Sequence, residues 1–275
     1  MRMKIIAAAI VLAGYAAGAS GQEDSDRWQF QITPYIWLPT ISADLNYDPP
    51  PSGGGGGPGI DVGPTDWLDL INGAALLNAG ASKGRFSVFG DLVFLSMESD
   101  GDRVVSVLDN ANIPVDADLN LSTETDFDGL SWTLAAGYSL RQTETSNIDL
   151  FGGVRYLDLE ATVDWNLSAD ITTPGGGVVL PAQGSIKDDA ELWDGIVGVR
   201  GHFAIGEGKW SVPFYLDAGT GDSDLTWQAM AGLTYTYGWG DLMFVYRHLA
   251  FDQGSDGLLE NLGFTGPGVG ARFRF

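Results

Sequence analysis

The C-terminal stretch of the chain alternates strictly. Phe275, Phe273, Ala271, Val269 and Pro267 fall on one face of an extended segment, and Arg274, Arg272, Gly270, Gly268 and Gly266 fall on the other. A period of two marks a strand whose faces meet different surroundings. The same pattern predicts nine further strands, over residues 27–39, 74–83, 85–97, 130–141, 148–159, 193–203, 210–218, 225–237 and 242–249. The clearest is 130–141, where Leu130, Trp132, Leu134, Ala136, Tyr138 and Leu140 oppose Ser131, Thr133, Ala135, Gly137, Ser139 and Arg141. The weakest is 74–83, built of small residues, which leaves a count of eight or twelve open beside ten. Between the strands, tight turns are expected at 83–84, 142–147, 205–209 and 238–240. Long loops are expected at 40–73, 98–128 and 162–190, with shorter links at 219–224 and 251–262. The first long loop holds Pro49-Pro50-Pro51 and glycines 53–57, and residues 66–72 are expected to form one helical turn.

The faces decide the surroundings. The apolar face carries Trp28, Trp132, Trp193, Trp210, Trp227, Tyr138, Tyr156, Tyr235 and Tyr237, most of them near strand ends. The opposite face is Gly, Ser and Thr with isolated Arg and Asp. A soluble lipocalin-like barrel would turn its apolar face inward and a charged face to water. Rings concentrated at strand ends instead fit two aromatic girdles at lipid interfaces. An even number of strands, with tight turns at one end and long acidic loops at the other, is the pattern of bacterial outer-membrane barrels. The fold class expected is therefore all-β: an antiparallel, up-and-down transmembrane barrel of about ten strands, with short periplasmic turns.

The N-terminus adds a compartment. Arg2 and Lys4 precede an apolar run from Ile5, and Ala17-Gly18-Ala19 fits a small-x-small cleavage site. Residues 1–19 read as an export signal, cut between 19 and 21, leaving 22–275 as a single barrel domain. No later stretch reaches the roughly 18–20 apolar residues of a spanning helix. The chain has 275 residues and no Cys, so no disulfide framework supports it. A net charge of −22 speaks against nucleic acid, which needs a basic surface. Lipid and lipopolysaccharide are the expected partners. Divalent cations at the acidic loops are a further candidate. Asp100-Gly101-Asp102 and Asp222-Ser223-Asp224 are locally calcium-like, but neither completes the twelve-residue loop pattern.

Candidate chemistry lies on the inward faces. The arginines are Arg141, Arg155, Arg200, Arg247, Arg272 and Arg274, and the acids are Asp91, Asp149, Asp194 and Asp217. Charges in a narrow lumen must be paired or wetted. Two readings follow: a salt-bridge plug, or a positively biased constriction that lets small solutes pass. Barrels of about eight strands hold little beyond their own side chains, which favours a filled or narrow lumen. Neither histidine fits a catalytic role. His202 falls near the periplasmic end, His248 has outward parity, and Ser96 is the one outward serine within consideration as its partner. No His or Cys metal cluster and no phosphate-binding glycine loop is present in the sequence, so no enzyme, metal or cofactor is expected.

The chain also resembles a family of small, largely uncharacterised outer-membrane barrels from Gram-negative bacteria. The resemblance rests on Ile32-Thr33-Pro34-Tyr35-Ile36-Trp37-Leu38-Pro39, then on Gly84-Arg85-Phe86 through Gly90-Asp91-Leu92. It continues through Gly153-Val154-Arg155-Tyr156, Asp194 with Gly198-Val199-Arg200, Asp217-Ala218-Gly219, Tyr246-Arg247, and the ending from Gly266-Pro267 to Phe275. It spans nearly all of 22–275, although the Gly-rich stretch 49–59 does not belong to the pattern. The resemblance implies an outer-membrane location and no established activity. It also implies that Phe273 and Phe275 form the end signal read by the barrel-assembly machinery.

Overall fold

The computed structural model describes residues 27–45, 59–100, 118–173, 176–206, 208–253 and 259–275. The expected export signal, glycines 53–57 and Asp102 lie outside the described residues. The strands are β1 (Gln29–Trp37), β2 (Thr40–Leu45), β3 (Gly59–Val62), β4 (Ile71–Lys83), β5 (Phe86–Asp100), β6 (Asp118–Gln142), β7 (Ser146–Thr173), β8 (Gly176–Ile205), β9 (Trp210–Gly221), β10 (Leu225–Thr236), β11 (Asp241–Asp252) and β12 (Leu259–Arg274). Ten of them close in the order β1-β4-β5-β6-β7-β8-β9-β10-β11-β12, with β12 returning to β1. Every pairing is antiparallel. The closing seam ends on a reciprocal bond pair, Phe30 N to Phe275 O at 3.0 Å and Phe275 N to Phe30 O at 2.9 Å.

The tight turns sit together at one end, with both ends of the described barrel. At β4–β5 the chain reverses through Gly84 at φ 58°, and at β8–β9 through Gly206 at φ 63°. Both are left-handed conformations that side chains with a Cβ resist. At the other end β2 continues β1 past Leu38–Pro39, pairs with β12, and takes β3 as its own neighbour. A single helical turn, α1 (Pro64–Trp67), and a 3₁₀ turn over Leu68–Leu70 lead into β4. Asp66 accepts a bond from the Gly63 N–H at 3.0 Å and so caps that turn.

The outer surface is apolar where it should meet lipid. Phe86, Val197 and Phe244 are 66, 68 and 61% exposed, and Trp28, Leu150, Leu216 and Val269 join them. A water-soluble protein does not display so continuous a belt. Rings border it on both sides. Trp132, Tyr156 and Trp193 form one cluster toward the long loops, with centroids 4.6–5.6 Å apart. Trp210, Tyr235, Tyr237, Trp239 and Phe273 form the other, near the tight turns.

All three expected long loops are partly strand: segment 40–73 holds β2, β3 and the start of β4. Segment 98–128 is strand up to Asp100 and again from Asp118, and segment 162–190 is strand up to Thr173 and again from Gly176. The β7–β8 ladder continues to Thr173 opposite Gly176. At 28 and 30 residues, β7 and β8 far exceed the roughly 9–11 residues that cross a bilayer. They carry the sheet well beyond the belt.

Candidate functional site

The lumen is filled in layers. Next to the tight turns, Arg274 and Arg272 both pair with Asp241, Arg272 at 3.7 Å. Asp241 has no exposed surface and also accepts a bond from the Thr236 hydroxyl at 2.8 Å. Slightly higher, Arg200 lies 3.5 Å from Asp149 and 3.5 Å above the Phe89 ring, and donates to the Ser87 hydroxyl at 3.2 Å. Asp149 also accepts from Ser139 at 2.5 Å and Asn147 at 3.0 Å. Above these pairs, Phe89, Phe151 and Tyr215 pack edge to face and tilted, with Ala135 and Ile196 buried against them.

The next layer is charged again and largely buried. Arg155 is 1% exposed. It donates to Asp217 at 2.5 Å and to the Thr226 hydroxyl at 2.9 Å. Tyr215 donates to the same Asp217 oxygen at 2.5 Å. Arg247 donates to Asp91 at 2.9 Å, to the Tyr35 hydroxyl at 3.0 Å and to Gln228 at 2.8 Å, and its guanidinium lies 4.5 Å over the Trp37 ring. Tyr35 in turn donates to Asp91 at 3.0 Å. Toward the long loops an apolar layer closes the section. Trp37, Leu157, Leu192, Leu249, Phe251 and Leu262 are buried together, with Leu76, Val93 and Phe264 packed against them.

Five of the six arginines expected inside are thus paired to acids of the lumen. Arg141 is not among them. Ser139 pairs with Asp149 and Arg141 with Ile148, so β6 carries one extra residue at Leu140. Such a bulge moves every later side chain to the other face. Arg141 stands exposed, and Gln142 takes the inward place, donating to Ser139 at 3.2 Å. Asp194 is inward and buried but meets no arginine. It binds the N–H and hydroxyl of Ser223, both at 2.9 Å. The calcium-like motif around Ser223 is therefore used as a turn: Asp222 accepts the Trp193 N–H at 2.8 Å. Among the described residues no group of three or more His, Cys, Asp or Glu is placed to hold a metal ion.

Sequence reading missed Asp241, because it lies one position before the alternating core of its strand. Its parity with Met243, Val245 and Arg247 was the available signal. The buried tyrosines Tyr35 and Tyr215 were on the right faces, but nothing in a single sequence marks which inward hydroxyl will bridge an ion pair. His248 stacks on Trp227 with centroids 4.3 Å apart and bonds Thr265. Ser96 sits on another strand, opposite Gly73 and Asp128.

The closed ladder, the apolar belt between two aromatic girdles and the polar, filled interior define a transmembrane β-barrel of the bacterial outer-membrane kind. No family model matches the chain, and no curated protein matches it. Among solved structures it is similar to the outer membrane protease OmpT from Escherichia coli, at 10% identity and a TM-score of 0.45, covering 91% of this chain and 97% of that one. It is similar to Ail, the attachment invasion locus protein of Yersinia pestis, at 12% identity and a TM-score of 0.31, covering 90 and 99% of the two chains. It is also similar to the Pseudomonas putida toluene transporter TodX, at 13% identity and a TM-score of 0.32, covering 90 and 88%. The assignment to a barrel rests on the pairing and the surface described above.

Proposed function

We propose that this chain, exported by a signal at residues 1–19, is a non-enzymatic protein of the Gram-negative outer membrane. Its lumen is closed along the axis, and its role is structural: it anchors a long acidic sheet at the cell surface. The observation that supports this reading is the filling of the lumen, layer on layer, by buried ion pairs, aromatic rings and an apolar plug. A ten-stranded barrel leaves little room beyond such a filling. His248 fits a structural role, engaged outside the lumen by Trp227 and Thr265. Planar-bilayer recording tests the closed axis. The wild-type barrel is expected to insert without steady unitary currents. Reproducible channels that lose selectivity on Arg247→Ala would instead establish a pore.

A second reading, binding of divalent cations or basic partners by the acidic end, has support from the register. Asp100 lies opposite Glu124, which lies opposite Asp164, and Asp128 lies opposite Glu160, which lies opposite Asp189. Acidic positions that fall in register on neighbouring strands are a setting that favours the binding of divalent cations or basic groups. Under this reading, millimolar calcium raises the thermal midpoint of the intact chain and not of a chain lacking 119–127 and 161–189. An equal shift in both would dispose of it.

A further inference from the structure

Exposed charge is sorted along the barrel axis. Among the residues whose exposure is described, the exposed cations are Arg27, Lys83, Arg85, Arg141, Lys209 and Arg274, and all lie at the tight-turn end. The exposed acids lie toward the long loops, apart from Glu144 in the β6–β7 turn. The chain as a whole has a net charge of −22, so a basic rim at one end is not a consequence of composition.

Three of these cations stand together. The β4–β5 turn and the end of β6 are stitched side by side: the Ser139 N–H donates to the Arg85 carbonyl at 2.8 Å, and Gln142 Nε2 donates to the Gly84 carbonyl at 2.9 Å. Lys83 stands opposite Phe86, and Phe86 opposite Tyr138, so the three share the lipid-facing side. The Phe86 and Tyr138 rings meet edge to face with centroids 5.3 Å apart. Arg85 reaches over the same Tyr138, 5.9 Å from its ring centre, and donates to its hydroxyl at 3.4 Å. Arg141 is brought to this wall by the bulge at Leu140, which sets it opposite Ile148. A regular ladder would put Leu140 there and turn Arg141 into the lumen. Bulges at barrel rims re-aim side chains, and here the outer wall gains a cation. None of the three is in an ion pair among the described residues, whereas each of the five lumen arginines is.

We propose that Lys83, Arg85 and Arg141 form a docking site on the outer wall for the headgroup phosphate of an anionic phospholipid, with Tyr138 as its floor. Cations at the edge of an apolar belt lay their stems on the wall and carry their heads to the headgroup layer. Guanidinium groups there grip phosphate oxygens two at a time, and the Lys83 ammonium adds charge. The aromatic pair under Arg85 fixes the height, since rings of this kind mark the interface. A zwitterionic lipid presents the same phosphate with a cation of its own, so the site prefers a headgroup of net negative charge. The proposal needs the barrel in a bilayer and is independent of whether the lumen conducts.

The test uses the full-length barrel in phosphatidylcholine vesicles containing a trace of phosphatidylglycerol or of phosphatidylcholine with a diazirine in its acyl chain, labelling being mapped by peptide. Labelling of Phe86 and of residues 134–141 is compared with that of Phe244 and Tyr246, on the far side of the ring. The relative labelling is expected to be at least about fivefold higher from phosphatidylglycerol, roughly the factor one cation contributes beside an anionic lipid. Arg141→Gln should lower that ratio at least about twofold, and Arg85→Gln with Arg141→Gln should bring it to about one. Arg141→Lys keeps the charge on the wall and should keep the ratio, which separates lost charge from a folding defect. Lys209→Gln removes a cation elsewhere on the rim and should leave the ratio unchanged. Equal labelling by the two lipids in the wild type overturns the site. So does an equal loss in Lys209→Gln and Arg141→Gln, which would make the preference an effect of net charge. If millimolar inorganic phosphate at constant ionic strength erases the ratio, the cluster takes free phosphate, and the lipid site is overturned.

Discussion

Arg155→Ala is expected to destabilise the barrel by about 3–5 kcal/mol, the cost of leaving a buried partner charge alone. Asp217 has no exposed side-chain surface, and among the described residues Arg155 is the cation paired with it. Once the guanidinium is gone, Tyr215 remains as its donor, while the second carboxylate oxygen already lacks a partner. Apolar residues border this pair on both sides, Phe151 and Ile196 on one and Leu157 and Leu249 on the other. Urea unfolding in detergent micelles, followed by the loss of heat-modifiable mobility, measures the effect. The loss should hardly change between low salt and molar salt, since a buried pair is little screened. Two further variants bracket the interpretation. Arg155→Met with Asp217→Leu removes both charges and should recover most of the stability, as replacing buried pairs by apolar groups commonly does. Arg141→Ala, at the exposed bulge, should stay within about 0.5 kcal/mol of wild type. If Arg155→Ala is as mild as Arg141→Ala, the charged layer is hydrated and the lumen is not plugged.

The contrast between these two arginines shows what a sequence of this kind discloses. Within the lipid belt, alternation is imposed from outside, because every outward position must be apolar and every tenth residue or so must turn. Strands such as β10 were therefore readable over nearly their full length, as was the inward parity of Arg155, Arg200, Arg247, Arg272 and Arg274. Parity is counted from a fixed starting point, and one inserted residue defeats it. The extra residue at Leu140 leaves no mark in composition, so alternation alone points Arg141 inward while the ladder turns it out. Pairing partners were less legible still. Arg155 stands opposite Asp194 in register, yet it bonds Asp217, two strands away, while Asp194 is taken by Ser223. Reach across a curved lumen depends on what the intervening strand leaves open, and a sequence does not state that.

The parts above the belt failed for a different reason. The ladder there runs from Asp118 opposite Asp170 and from Thr173 opposite Gly176. Alternation was present, in Leu119, Leu121, Phe127, Val163, Trp165 and Leu167 against Asp118, Asn120, Asp126, Asp164 and Asn166. The polar and apolar positions are interchanged in the sequence relative to the belt strands, and the density of acids reads as loop when judged by the belt's rule. The break between β1 and β2 was seen only as a strand ending at Pro39. That the lost pairing leaves β4 with a free edge follows from topology and cannot be read from either strand alone.

Gly198→Val is expected to prevent the barrel from assembling, and even Gly198→Ala should cost more than the usual 1–3 kcal/mol or so of an overpacked site. Gly198 lies on β8 with Phe151 opposite on one side and Asp217 opposite on the other. The Phe151 ring lies over it, beside the Asp217 that Arg155 binds. A Cβ built there would stand 2.4 Å from the Leu216 carbonyl oxygen, 2.6 Å from Phe151 Cζ and 2.7 Å from Asp217 Cβ. The ring could rotate away, but the carbonyl belongs to the ladder and the Asp217 Cβ to a locked ion pair, so neither can yield cheaply. Gly238 is the control, since a Cβ there meets nothing within 4 Å, and Gly238→Ala should refold like wild type. The fraction of compact, heat-modifiable barrel after refolding into detergent reads all three variants. Adding Phe151→Leu to Gly198→Ala separates the clashes. If the ring were the obstacle, the pair would refold fully. If the carbonyl and the ion pair decide, as the geometry requires, the pair should recover only partly, and its unfolding midpoint should remain close to that of Arg155→Ala.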